Sequence, residues 1–303
     1  MIPLDEIRRV VRGRIALNEP LGPYTWMKVG GPADCYIEPA DRKDLVDLVA
    51  VLTAQRVPHL LLGRGSNMLV SDDGFRGVVI NLESGLTSIR RENGDVIAEA
   101  GVRLTKFVDF CVQQGLAGVE MLAGIPGSVG GGIAMNAGAH GGEVADHCVA
   151  VEVLEGGVTR WIPKEQCGFR YRHSDFEGRV IMAGRWRLSS GDVEALIRRR
   201  KELIQKRNAT QPLDLPNLGS MFKNPPGTYA AKLIEEAGLK GKKVGGIQVS
   251  EKHANFMVNL GNGTAADVVQ LIDLVKRTVY QHAGIHLELE VRLIGFKPSE
   301  GTS

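Results

Sequence analysis

The stretch Gly124 to Glu143, GIPGSVGGGIAMNAGAHGGE, holds eight glycines in twenty residues beside almost no charge. Glycine loses more conformational freedom on folding than any other residue. It is therefore kept where φ must be positive or where another group must lie against the main chain. Such a run is either a series of tight turns or a surface of backbone N–H groups laid against a large anionic or planar ligand, with Ser128 and Asn136 as short polar partners. No familiar nucleotide fingerprint accounts for it. The chain has no G-x-G-x-x-G after a strand and no G-x-x-x-x-G-K-[ST], so neither the Rossmann nor the P-loop mechanism applies.

A second glycine-rich turn, LLGRGSNMLV, follows a strand-like run at Leu60 to Leu62. Gly63, Gly65, Ser66 and Asn67 would present N–H and side-chain donors in a small concavity suited to a pyrophosphate, or would simply connect two strands. With VGGPAD at Val29 to Asp34 as a third such segment, a dinucleotide-sized ligand is the simpler account.

Around these loops the chain reads as mixed α and β. CYIEPA, RKDLVDLVAVLTAQRV, HLLLG and GVVINL alternate strand and helix patterns, the signature of an α/β layer. From about Thr87 two strand-like runs flank Asn93-Gly94, followed by an amphipathic RLTKFVDFCVQQG helix and then the glycine stretch. A second hairpin, VAVEVLEGGVTRWIP, turns at Gly156-Gly157. NATQPLDLPNLG breaks all periodicity and predicts a boundary. Beyond it lie the helix TYAAKLIEEAGL, strands near GGIQVS and FMVNL, a long helix opened by a Thr264-x-x-Asp267 capping box, and a final strand LELEVRLIGF with one apolar and one charged face.

A length of 303 residues suggests two or three subdomains at about 100–200 residues each. The 37 Lys and Arg are matched by 35 Asp and Glu, so no nucleic-acid partner is expected. The basic run Arg198 to Lys201 sits in DVEALIRRRKELIQKR, where helical spacing makes it a solvated face. No basic start leads into a long apolar run and no stretch approaches a membrane span, which predicts a cytoplasmic protein. The cysteines at 35, 111, 148 and 167 form no C-x-x-C. They are expected to be reduced, mostly buried hydrophobes rather than metal ligands.

Three further positions could carry chemistry. Arg172, in FRYRHSDF, alternates with aromatics and would lie on a cationic face if the segment is a strand, or form a surface salt bridge. Ser220, in LGSMFKNPP, has glycine before it and Lys223 and Asn224 after it; a plain turn residue is the alternative. Glu290 stands on the charged face of the last strand, where solvation is its default role.

YTWMKVGGPAD, LLGRGSNMLV, the glycine stretch, FRYRHSDF, LGSMFKNP, GGIQVSEKHANFMVN and LELEVRLIG occur in that order from about Asn18 to Gly295. Together they closely resemble the UDP-N-acetylenolpyruvoylglucosamine reductases, in the shorter variety without an additional substrate-closing loop after FRYRHSDF. The resemblance implies an α+β fold: a vanillyl-alcohol-oxidase-type FAD-binding domain of two subdomains (1–85 and 86–208) and a C-terminal substrate domain (209–303). It implies noncovalent FAD, with Gly63, Arg64, Gly65, Ser66, Asn67 and Met68 at the pyrophosphate; the loop has no histidine to anchor a flavin. Gly124, Ile125, Gly127, Ser128, Gly131, Gly132, Asn136, Gly138 and Arg207 would line the rest of the cofactor.

By the same resemblance NADPH donates the hydride, and an enolpyruvyl sugar nucleotide accepts it. Arg172 clamps the substrate carboxylate, a protonated Glu290 hydrogen-bonds it, and Ser220 delivers the proton, assisted by Lys223 or Arg207. His140, in place of an aromatic found in some relatives, falls with Lys223, Asn224, Lys232, Gln248, His253 and Asn255 on the substrate side. The rivals are another FAD-dependent oxidoreductase of the same fold, and a noncatalytic nucleotide-binding module that needs no proton donor.

Overall fold

In the computed structural model, which describes residues 2–297, the chain divides into two compact units. One comprises Met1–Leu17, Cys35–Arg64 and Gly77–Arg207; the other comprises Asn18–Asp34, Gly65–Arg76 and Asn208–Ser303. Residues 1 and 298–303, at the outer ends of the expected first and third domains, lie outside the described residues.

The first unit is built around an antiparallel five-stranded sheet, ordered Val158–Pro163, Cys148–Glu155, Val180–Trp186, Asp95–Glu99 and Ile89–Glu92. Its hairpins sit where the glycines predict them. Asn93 and Gly94 have φ of 52° and 87°, the paired positive values that a two-residue turn of right-handed twist needs. The Leu104–Gln113 helix follows, burying Leu104, Phe107, Val108, Cys111 and Val112. That i, i+3, i+4 spacing makes one apolar stripe, and Phe107 packs its ring 4.4 Å from that of Trp186. The expected alternating layer is present too: His59–Leu62 pairs in parallel with Phe75–Asn81, and the Arg42–Ala54 helix buries Leu45, Leu48 and Leu52. All four cysteines are buried. Burial pushes Cys111 and Cys148 up to about 12 and Cys167 to about 11, so these thiols are protonated and inert at neutral pH.

The second unit has its own core beneath an antiparallel sheet ordered Asn217–Ser220, Phe256–Asn259, Ile247–Val249 and Lys243–Val244. The Ala265–Ala283 helix lays Val268, Leu271, Ile272, Val275 and Val279 into that core. Both hydrogen bonds of the Thr264/Asp267 capping box form, and Gly284 ends the helix at φ 67°. Asp72 adds a connection that sequence does not reveal: its carboxylate oxygens accept from Ala265 N and Ala266 N, both at 2.9 Å. An anion there satisfies orphan donors and favours the positive end of the helix.

Three local details emerge from the fold. FRYRHSDF is not a strand: Arg170 and His173 exchange backbone hydrogen bonds at 3.1 and 2.9 Å, and Tyr171 and Arg172 form the turn between them. The basic helix runs Val193–Thr210 and takes in Asn208 to Thr210, the first residues of NATQPLDLPNLG, while the two compact units divide between Arg207 and Asn208. The final strand is short. Only Arg292–Ile294 pairs regularly, in parallel with Met68–Val70, while Leu289 makes a single antiparallel bridge to Phe222. At Glu290 the parallel ladder gives way to other bonds: its N–H donates to Met221 O and its carbonyl accepts from the side chain of Asn67. Among the described residues no helix is long and apolar enough to cross a membrane.

Candidate active site

In the first unit the glycine stretch starts a short helix, Val129–Ala134, capped by Ser128, whose Oγ accepts from Gly131 N at 3.2 Å. The three consecutive glycines have different reasons. A Cβ on Gly130 would come within 2.9 Å of the Ala100 Cβ, so internal packing requires a glycine there. Gly131 is exposed and a Cβ would meet only Ser128 Oγ at 3.4 Å, which leaves its outer face clear for another group. Gly132 makes ordinary contacts with Leu104 and Val144. Gly124 and Gly127 have φ of 78° and 133°, values that favour glycine; Ile125 packs on the core.

The pyrophosphate-loop candidate begins against the same stretch. A Cβ on Gly63 would fall 2.6 Å from Ser128 Oγ. Gly63 O accepts from Asn81 Nδ2 at 3.4 Å, and Arg64 Nη1 is 2.8 Å from Glu83 Oε1. Asn81, 5% exposed, also accepts from Glu83 N through Oδ1. Sequence reading missed this brace; its only signal is a polar residue ending the apolar run GVVINL.

Asn136 is fully buried at φ 42°. Its Nδ2 donates to Arg170 O at 3.1 Å and its Oδ1 accepts from Ala145 N at 2.9 Å, which ties the Tyr171-Arg172 turn to the glycine stretch. Arg172, at φ 52°, donates from Nη2 to Gly138 O at 2.7 Å and stacks 5.0 Å over the Tyr171 ring. His140 lies two residues beyond Gly138. Its Nε2 is buried with no hydrogen-bond partner among the described residues. Burial, then the charges of Lys206, Arg207 and Arg199, hold its pKa below the ordinary value, so at neutral pH it is an uncharged imidazole. Arg207 lies against Gly124 and is 8% exposed; burial lowers its pKa to about 10, still a cation.

In the second unit Ser220 ends its strand opposite Phe256, and Gly219 before it has φ 77° with open space at the Cβ position. Glu290 N donates to Met221 O at 2.9 Å, and Asn67 Nδ2 donates to Glu290 O at 3.1 Å. Ser220, Glu290 and Asn67 are thus drawn together from three distant parts of the chain. The weaker candidates have defined partners. Asn255, 3% exposed, is a brace: Oδ1 accepts from Phe222 N at 3.0 Å and Nδ2 donates to Phe222 O at 2.8 Å. Lys223 Nζ is 2.5 Å from Glu288 Oε1, and Asn224 Oδ1 accepts from Ala230 N at 3.1 Å. Gln248 Nε2 donates to Gly241 O at 3.2 Å, Lys232 is 3.8 Å from Glu236, and His253 Nδ1 accepts from Asn255 N at 3.3 Å. Among the described residues no group of three or more His, Cys, Asp or Glu could hold a metal.

A flavin dinucleotide fits the first unit. It would bring negative charge to the buried Arg207 cation, and the clear face at Gly131 lets it approach the main chain. Residues 33–159 match the model of the FAD binding domain, and with this surface they define a flavin-dependent oxidoreductase of the α+β class. Residues 211–294 match the model of the C-terminal domain of UDP-N-acetylenolpyruvoylglucosamine reductase. Full-length relatives agree. The chain is 43% identical over 305 residues to the UDP-N-acetylenolpyruvoylglucosamine reductase of Chloroherpeton thalassium, covering 98% of both chains. With that of Heliobacterium modesticaldum it shares 45% identity over 301 residues, 96% of this chain and 94% of the relative. The crystal structure of the reductase from Thermus caldophilus superimposes with a TM-score of 0.80 at 37% identity, over 93% of this chain and 99% of that one. The chain belongs to the UDP-N-acetylenolpyruvoylglucosamine reductase family.

Proposed function

We propose that this chain reduces the enolpyruvyl ether of UDP-N-acetylglucosamine to the lactyl ether of UDP-N-acetylmuramate, a step in peptidoglycan precursor synthesis, with noncovalent FAD and NADPH as hydride donor. Membership of the family supports the reaction. Under this reading residues 1–85 and 86–208 serve the flavin and 209–303 serve the substrate. Gly63, Arg64, Gly65, Ser66, Asn67 and Met68 hold the pyrophosphate; Gly124, Ile125, Gly127, Ser128, Gly131, Gly132, Asn136, Gly138 and Arg207 hold the remainder. When bound, FAD supplies the hydride chemistry, from NADPH to the terminal vinyl carbon.

The chain's own residues then manage charge. Hydride arrival at the terminal carbon leaves an electron pair on its neighbour, delocalised into the carboxylate. The Arg172 fork stabilises that charge, and Glu290 hydrogen-bonds it as a donor. The Ser220 hydroxyl proton then passes to the neighbouring carbon, which completes the lactyl ether and leaves the oxygen to be reprotonated from solvent. His140, Lys223, Asn224, Lys232, Gln248, His253 and Asn255 serve the sugar nucleotide, Asn255 through the position it gives Phe222.

The observation that carries this reading is the bond from Glu290 N to Met221 O, 2.9 Å, which sets the carboxyl-bearing residue beside the chain of Ser220. The enzyme is read as cytoplasmic, with no nucleic-acid or membrane partner.

Anaerobic titration of the yellow protein with NADPH tests the reading. Flavin absorbance should bleach and return on adding the enolpyruvyl sugar nucleotide, and acid precipitation should leave all the flavin in the supernatant. Flavin that stays bleached with this substrate but recovers with oxygen would indicate an oxidase of the same fold.

A further inference from the structure

Glu290 is held by its main chain on two sides, and the partners differ in kind. Its N–H is taken by Met221 O in the strand end that carries Ser220, while its carbonyl is taken by a side chain, Asn67 Nδ2, at 3.1 Å. Asn67 is itself fixed from the same segment, because Arg292 N donates to Asn67 O at 3.1 Å. The pairing then runs on: Met68, Leu69 and Val70 lie in register with Arg292, Leu293 and Ile294, and Ser71 N donates to Ile294 O at 2.8 Å. Asn67 is therefore the first rung of a ladder joining the Gly65–Met68 loop to the Glu290 segment, and it makes that rung with its side chain where the later ones are main chain.

The regular ladder stops at Arg292, two residues short of Glu290. Beyond that point the Asn67 amide ties the backbone of Glu290 to the loop. Asparagine suits the position, since its Nδ2 donates while its own main-chain carbonyl stays available to Arg292. Alanine would leave Glu290 O without that donor, and aspartate would set an acceptor against an acceptor.

We infer that Asn67 is a positioning residue for Glu290: its side-chain amide fixes the Glu290 backbone relative to the Gly65–Met68 loop, so that the loop sets where the Glu290 carboxyl stands. This rests on the reading of Glu290 as the group that hydrogen-bonds the substrate carboxylate. It goes beyond that reading because Asn67 acts through Glu290 and not by touching substrate.

The test uses holoenzymes of Asn67→Ala, Glu290→Ala and the double variant, with flavin content checked. In rapid-mixing reoxidation by the enolpyruvyl sugar nucleotide, Asn67→Ala should be slower by about 10- to 100-fold, the cost of a small misplacement of a reacting group. Added to Glu290→Ala it should change the rate less than about twofold, since residues acting as one unit are not additive. Hydrogen exchange of the Asn67→Ala holoenzyme should show faster exchange of the amides of residues 288–292, with those of Ser220 to Phe222 least affected. Asn67→Asp should reproduce both results, so poor folding of one variant does not end the test. Multiplying effects in the double variant, or unchanged exchange at 288–292, would overturn the inference. If Glu290→Ala alone reoxidises at the parent rate, the role of Glu290 itself is wrong and the inference falls with it; faulty positioning by Asn67 would instead leave Glu290→Ala slow.

Discussion

The Arg172 guanidinium donates to the carbonyl oxygen of Gly138 at 2.7 Å, so the cation assigned to the substrate carboxylate is anchored on the glycine stretch assigned to the flavin. That bond commits an Nη to the main chain and so helps to fix the orientation of the fork.

Arg172→Lys keeps the charge but loses the planar fork and the defined bond to Gly138. Reoxidation by the enolpyruvyl substrate should slow by about 10²-fold, the order seen on removing one oriented transition-state donor. Bleaching by NADPH should change little. Equal slowing of both half-reactions would mean that Arg172 supports the flavin or the fold.

Gly63→Ala adds a methyl 2.6 Å from Ser128 Oγ without asking for a strained φ. The serine must rotate away and release Gly131 N, so stability should fall by about 1–2 kcal/mol, the scale of a lost N-cap. In a Ser128→Ala background the same change should cost much less. Urea denaturation of the single and double variants measures this, and additive losses would show that the clash lies elsewhere.

Burial and cationic neighbours hold His140 below its ordinary pKa of 6.5, and burial does most to hold His253 below it. Below that value the unfolded chain binds protons that the folded chain refuses, so stability rises with pH there. The contribution is complete above 6.5 and is lost as pH falls through the folded values. Urea midpoints should therefore be level near pH 7 and fall towards about pH 5. Replacing both histidines by glutamine should flatten that fall; an unchanged slope would assign it to other groups.

Features set by neighbours in sequence were legible from it. Asn93-Gly94 and Thr264-x-x-Asp267 carry their geometry in adjacent residues, and both form as read. FRYRHSDF stayed open in sequence because arginines alternating with aromatics imitate the period of a strand; in the fold the segment turns at Tyr171-Arg172. The order of the motifs pointed to Arg172, Ser220 and Glu290, but not to what holds them. Asn67, Asp72, Asn81 and Asn255 act by hydrogen bonds to the main chain of remote residues. Such bonds impose no period and no composition on the sequence, so only the folded chain reveals them.

Delivery of the proton by Ser220 after hydride transfer is the step on which the proposed reaction turns, and rapid-mixing absorbance of Ser220→Ala isolates it. Neither flavin binding nor bleaching by NADPH needs that hydroxyl, so both should persist. Reoxidation by the enolpyruvyl sugar nucleotide should fall by about 10²–10⁴-fold, the range for loss of a general acid, and Ser220→Cys should recover part of it. Reoxidation of the alanine variant at the parent rate would contradict this role and leave Ser220 as the end of a strand opposite Phe256.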